Sequence, residues 1–399
     1  MAGRRQYHRG VSTSRTDAER IVTPQFARLW VGGFAQFLSF FLLLPALPVY
    51  ARTLGIPESR IGFLTGAFPL AAMLVRPVAG WAADRYGRRP FLLGGALVFA
   101  VSSALYAVSR TLPGLILVRG LHGCGMGLYP TGGMAMAADL APPARRGYVM
   151  GLVGIAANVA LAIGPAAGLL IVDRWGFGWL FAASTGMALV ALVLALGQHE
   201  TLAAPVRVRL ALGSAFSRAA LYPCAIVLCL MTTYGVQSTF LPLYAVSRGT
   251  HAGVFFTVMA CAIILSRGIG GGLSDRVGRV PVAAVGTACV TAAMGVVALG
   301  SGSGALVASG LLYGIGLGAA QPALIAWCVD LAAPTERGKV MGTFYTALEL
   351  GIATGAIGAG LLLAATSYTT LFLVSAGVAL AASAVALAGL GRTSASRIG

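Results

Sequence analysis

The chain has 399 residues, of which 58% are hydrophobic and only 10% charged, with a formal net charge of +17 and a mean hydropathy of +0.85. Soluble domains carry about a quarter charged residues, so this composition excludes a soluble globule and calls for lipid as the solvent. The positive excess sits between hydrophobic stretches rather than on a polar domain, which argues against a nucleic-acid partner.

Residues 1–25, MAGRRQYHRGVSTSRTDAERIVTPQ, are polar and basic and lack the apolar core of a signal peptide, so they read as a cytosolic tail. Twelve apolar runs follow, each long enough to cross ~30 Å of hydrocarbon and bounded by Arg, Pro, Gly or Asp. Their approximate limits are 26–50, 60–82, 90–109, 112–138, 147–171, 177–197, 220–246, 252–273, 280–300, 304–328, 339–365 and 368–390. With the amino terminus in the cytosol, the outer face receives Arg52, Arg60, Arg110, Arg174 and Arg248, and Arg76, Arg119 and Arg267 fall inside spans. The remaining 20 of the 28 basic residues then collect on the cytosolic face. The positive-inside rule therefore predicts a multi-pass protein of the cell inner (plasma) membrane with both termini cytosolic.

The second half of the chain repeats the first. DLAPPARRGYVMG, beginning at Asp139, returns 191 residues later as DLAAPTERGKVMG, beginning at Asp330, with nine of thirteen positions identical. GWAADRYGRR, Gly80 to Arg89, returns at the same displacement as GGLSDRVGRV, Gly271 to Val280. Six spans per repeat is an even number, so both halves enter the membrane in the same direction. The expected fold is all-α and integral to the membrane, with two parallel six-helix bundles at 26–197 and 220–390, a cytosolic linker at 198–219 and a cytosolic tail at 391–399.

Polar residues are scarce enough to be read one by one. The first span offers Gln36 and Ser39. In the loop after the second span, Gly80 and Gly87 permit a tight turn, and Asp84 with Arg85, Arg88 and Arg89 can form charge pairs that hold or release that face. Gly271, Asp275, Arg276, Gly278 and Arg279 repeat the arrangement. Arg76 and Arg267 each lie eight residues before the loop Asp; they either snorkel to the cytosolic face or form gate pairs with Asp139 and Asp330. In the fourth span, LILVRGLHGCGMG carries Arg119 and, three residues on, His122, whose imidazole can exchange a proton near neutral pH. An arginine well inside a span calls for a partner or a wet cavity. Snorkelling of Arg119 to the outer interface, and a packing role for His122, are the plainer alternatives.

The fifth span, GLVGIAANVALAIGPAAGL, is rich in small residues around Pro165, as close helix contacts require. Tyr234, Gln237, Gln321 and Tyr345 join Gln36 as candidates for lining a largely apolar solute cavity. Glu349, in FYTALELGIATG, is the one carboxylate expected near the bilayer midplane, where a carboxyl group can pass a proton from one side to the other or, more simply, fix helix packing. Its repeat partner is Asn158, which cannot titrate. The six cysteines, Cys124, Cys224, Cys229, Cys261, Cys289 and Cys328, lack metal-ligand spacing and read as packing residues, so no metal is expected. No P-loop, HExxH, GxSxG or dinucleotide fingerprint is present, so no catalysis and no cofactor is expected.

The loop Gly80–Asp84–Arg85–Gly87–Arg88–Arg89 resembles the signature G-x3-D-R-x-G-R-R of the major facilitator superfamily, and the likeness extends over residues 26–390. The Arg119 segment resembles that family's L-x3-R-x2-Q-G-x-G pattern, with His122 where Gln is usual. Gly151, Gly164, Pro165 and Gly168 resemble the antiporter motif of its drug and proton exchange branch, although Ala160 and Leu169 replace two glycines and the first span lacks the acid common there. The resemblance implies the major facilitator fold and alternating access, with Asp84, and more weakly Asp275, latching the cytosolic side against the eleventh span. The fifth span would flex or pack between the halves. The expected activity is proton-coupled efflux of a small organic or amphipathic solute by a monomer. Import or facilitated passage of a metabolite, and a membrane sensor without turnover, are the rival readings.

Overall fold

The computed structural model describes residues 23–142, 145–202, 217–333 and 336–395. The basic tail therefore lies outside the described residues, as do most of the linker and the last four positions. α1 (Pro24–Leu43) starts where the Thr23 hydroxyl accepts the Phe26 N–H at 3.1 Å, with Pro24 as the first helical residue. Pro45 interrupts the first span, and the chain resumes as α2 (Ala46–Thr53). The remaining spans are α3 (Glu58–Tyr86), α4 (Arg89–Leu105), α5 (Leu112–Leu140), α6 (Arg146–Trp175), α7 (Phe177–Leu196), α8 (Leu221–Ser247), α9 (Ala252–Val277), α10 (Arg279–Leu299), α11 (Gly302–Asp330), α12 (Arg337–Ala365) and α13 (Tyr368–Ala395).

With α1 and α2 counted as one, twelve spans result. Ten are long and apolar enough to cross a membrane by length and composition alone. The other two are α4, a 17-residue helix, and α5, where Arg119, His122 and Asp139 dilute the apolar run. At 1.5 Å per residue even α4 covers about 25 Å, close to the hydrocarbon thickness.

The duplication is visible in the packing. In the first half α3 and α4 pack on α5, α1 packs on α6 and α7, and α4 on α7; in the second half α9 and α10 pack on α11, α8 on α12 and α13, and α10 on α13. Each contact in one list is the other's counterpart under the 191-residue shift. Two pairs make most of the contact between the halves, α3 with α12 and α6 with α9, and these are also counterparts; α8 adds smaller contacts to α2 and α3. The α3–α12 seam is the closer: Gly62 and Gly66 lie against Ala356, Ile357 and Ala353, so a Cβ at either position would strike the opposing helix.

The glycines of the antiporter-like helix pack elsewhere than expected. Gly164 and Gly168 of α6 lie directly against Phe41 and Leu42 of α1, within the same half, and space is open around Gly151. The face of α6 turned to the other half carries Ala166 and Leu169, which approach Gly253. The expected packing between halves thus belongs to α6, but not to its motif glycines. Gly168→Ala should cost about 1–3 kcal/mol, because the new methyl group meets the Leu42 backbone. Gly151→Ala should cost nothing. Thermal-unfolding midpoints of the detergent-purified variants test the contrast.

Candidate functional site

α3 ends at Tyr86 because Gly87 takes φ 105°, a left-handed conformation that only glycine adopts without strain, and Gly278 ends α9 in the same way at φ 104°. Across each turn the signature residues form a triad. Arg88 pairs with Asp84, and its Nε donates to Asp139 Oδ2 at 3.3 Å; Arg279 pairs with Asp275 and reaches Asp330 at 3.0 Å. Each triad ties three helices of one half together. Arg85 lies over the Trp81 and Tyr86 rings, at 5.7 and 5.5 Å from their centroids. Asp84 is thus held within its own half, and among the described residues no hydrogen bond or ion pair carries it to α12 in this conformation.

A further residue, missed from sequence, completes the first triad. Glu200, just beyond α7, accepts the backbone N–H groups of Arg88 at 2.8 Å and of Thr201 and Leu202 at 3.0 Å through Oε1, and that of Arg89 at 3.0 Å through Oε2. It caps the start of α4, where backbone donors have no helical partner. Arg89 adds a bond from Nη2 to the Leu196 carbonyl at 3.1 Å. The available signal was a lone acid directly after an apolar span in an otherwise basic segment. Partial burial pushes the Glu200 pKa up, but the four backbone donors outweigh it and hold the carboxyl below its usual range.

The charged residues inside the spans pair differently from the sequence expectation. Arg76 and Arg267 do not meet Asp139 and Asp330, which are taken by Arg88 and Arg279 on the loop side. Instead Arg76 Nη2 donates to Glu349 Oε1 at 2.8 Å, crossing from α3 to α12. Its counterpart crosses from α9 to α6, where Arg267 Nη1 donates to Asn158 Oδ1 at 2.6 Å. The second crossing has the amide of Asn158 where the first has the carboxylate of Glu349, and Arg267 gains another amide oxygen, Gln321 Oε1, at 2.6 Å. Tyr345 lies under the Arg76 guanidinium, 5.0 Å from centroid to Cζ. Glu349 is 7% exposed.

These crossings mark where the halves meet. Arg76 is ten residues from the basic-loop end of α3 and eighteen from the other, or about 15 and 27 Å. Every other hydrogen bond or ion pair described between the halves lies at the crossing level or toward the far face. There Tyr368 donates to Glu58, Arg52 Nη1 reaches the Leu243 carbonyl at 3.3 Å, and His251 lies 3.8 Å from Asp173. The molecule is joined at the far face; among the described residues no such bond joins the halves on the basic side of Arg76 and Glu349.

Of the remaining candidates, Arg119, His122, Gln36 and Gln237 are buried and Tyr234 is half-buried. Arg119, 2% exposed, does not snorkel: its guanidinium lies over the Phe68 and Phe40 rings, at 4.6 and 5.5 Å. His122 lies beside Phe99, Phe68 and Tyr106, with the Tyr106 hydroxyl 3.3 Å from Nδ1. Both amide atoms of Gln36 and of Gln237 are buried without a hydrogen-bond partner. Tyr234 packs at the edge of the main apolar core.

Residues 29–294 and, in a second overlapping match, 224–397 fit the sequence model of the Major Facilitator Superfamily. The chain belongs to that family and is a membrane transporter, not an enzyme. It is 31% identical over 147 residues to the quinolone resistance protein NorA of Staphylococcus aureus, a stretch covering 37% of this chain and 38% of NorA. An MFS-type transporter of Methanocaldococcus jannaschii is 23% identical over 349 residues, covering 84% of this chain and 90% of that one. Among solved structures, a POT family transporter bound to a thioalcohol-conjugated peptide has a TM-score of 0.79 at 16% identity, over 92% of this chain and 96% of that chain. The human organic anion transporter MFSD10 has a TM-score of 0.68 at 20% identity, over 92% of this chain and 100% of that one. At these identities the structures show the fold alone.

Glu200→Ala should destabilise the protein by about 1 kcal/mol, the usual cost of losing a helix cap. A carboxyl with a depressed folded pKa contributes stability above its ordinary unfolded value of about 4.3 and loses it as the pH falls through the folded one. The difference between wild type and variant should therefore hold at pH 7 and shrink below about pH 4, as read from unfolding midpoints across pH.

Proposed function

We propose that this protein is a secondary active exporter that releases a small organic or amphipathic solute in exchange for protons, working by alternating access from the plasma membrane. The basic face is cytosolic on this reading, so the conformation described is open to the cytosol and joined outside. The observation that carries the proposal is the Arg76–Glu349 pair at 2.8 Å. It connects the two halves through a titratable group, away from either face, on the level where their polar contacts end. Proton uptake by Glu349 removes the negative partner and weakens the crossing, so protonation and the relative position of the halves are coupled through one bond. The loop triads hold each half as a rigid unit in this state; Asp84 and Asp275 become latches when the cytosolic ends approach. The partial likeness to NorA, a quinolone resistance protein, supports the export direction. Glu349 has no titratable equivalent in the other crossing, so a single carboxyl carries the coupling.

In proteoliposomes with an imposed pH gradient, adding a quinolone to wild type should produce solute-dependent proton movement. Glu349→Gln should abolish that movement while leaving solute exchange at zero gradient. Equal solute movement in both proteins without protons would instead make the protein a facilitator.

A further inference from the structure

We infer that Arg119 and His122 form a subsite for the anionic group, a carboxylate or phosphate, of an otherwise apolar solute. The inference rests on the transport reading above and names a solute class that the reading leaves open.

The charge inventory is the first observation. The chain has 11 acidic residues, and within the spans away from their ends only Glu349 remains, against Arg76, Arg119 and Arg267. Arg76 has Glu349, and Arg267 has two amide oxygens. Among the described residues Arg119 forms no ion pair, and its Nη1 is buried without a hydrogen-bond partner. Rings offer a guanidinium up to about 2 kcal/mol, less than the several kcal/mol an unpaired buried cation costs. The arrangement favours the arrival of an anion.

The second observation is the neighbouring donor. The Tyr106 hydroxyl lies 3.3 Å from His122 Nδ1. We assign the tautomer in which that hydroxyl donates to Nδ1. A neutral imidazole whose Nδ1 accepts carries its proton on Nε2, and His122 Nε2 is also buried without a partner. In that tautomer two unsatisfied donors, one of them charged, lie against the same two rings, Phe40 and Phe68. Phe40 and Phe68 face both Arg119 and His122, so the group these donors would meet lies in apolar surroundings. An ammonium group would meet a cation and two donors there, and would be rejected.

The test is equilibrium binding to the full chain in nanodiscs with three matched probes: naphthalene-1-carboxylate, naphthalene-1-carboxamide and 1-naphthylmethylammonium. Wild type should bind the carboxylate at least ten-fold more tightly than the amide, and the ammonium most weakly. Arg119→Gln should erase the preference by weakening carboxylate binding at least ten-fold, and Arg119→Lys should keep part of it. Arg119→Lys retains the charge, so it keeps the test decisive if Arg119→Gln does not fold. Equal binding of carboxylate and ammonium, binding of no probe, or a preference that survives Arg119→Gln overturns the subsite. Binding of chloride or inorganic phosphate at the subsite with no organic probe bound also overturns it, by assigning the donors to an inorganic ion. Binding at equilibrium needs no flux, so failure of proton exchange and failure of this preference are read separately.

Discussion

A charge inside hydrocarbon must be neutralised, paired or kept wet, and each choice has structural consequences because the surroundings offer no water to correct a bad one. In this molecule the carboxylate of Glu349 is paired with Arg76, and the two residues belong to different halves. Separating the halves at that level therefore means separating a buried ion pair, whose broken state costs several kcal/mol unless the carboxyl takes up a proton. The close α3–α12 seam, with Gly62 and Gly66 set against Ala356 and Ile357, brings the two side chains' helices near enough for the pair to form. The helix packing and the site are one arrangement.

Duplication supplied this arrangement twice, and divergence made the copies unequal. Arg267 repeats Arg76, but Asn158 stands in the place of Glu349, and Gln321 adds a second neutral acceptor. One crossing holds a group that can take up a proton, and the other holds only neutral amides. A fixed contact opposite a switchable one suits a pair of bundles that rock rather than separate. The signature loops diverged similarly: both retain the Asp–Arg–Asp triad, and only the first is also held by Glu200 from the segment beyond α7.

The sequence made the architecture legible because the physics behind it is long-ranged and repetitive. Apolar runs of about twenty residues, arginines concentrated between them and the 191-residue repeat together specified two parallel bundles. The repeat singled out Arg76, and a position near the bilayer midplane singled out Glu349. What it did not yield was their partnership. Arg76 and Glu349 are 273 positions apart, and nothing local distinguishes Glu349 from Asp139 as the acceptor for Arg76. That choice is made by helix packing, which brings α3 against α12 and leaves Asp139 to Arg88. Glu200 escaped notice for a related reason, since its acceptors' partners are backbone N–H groups that carry no residue-type signal. The rings around Arg119 were likewise invisible, because Phe40 and Phe68 lie on two other helices.

The central claim is that the Arg76–Glu349 pair holds the halves in the present conformation. Tyr86 and Val277 are exposed residues at equivalent ends of α3 and α9, and spin labels there report the separation of the basic ends by electron–electron dipolar coupling. The account predicts that acidification of the wild type and Glu349→Gln at neutral pH shift the distance distribution in the same direction, toward shorter separations. Acidification should then add nothing to the variant. A distribution that neither acid nor the substitution changes would mean that the pair only packs two helices together, and would contradict the account.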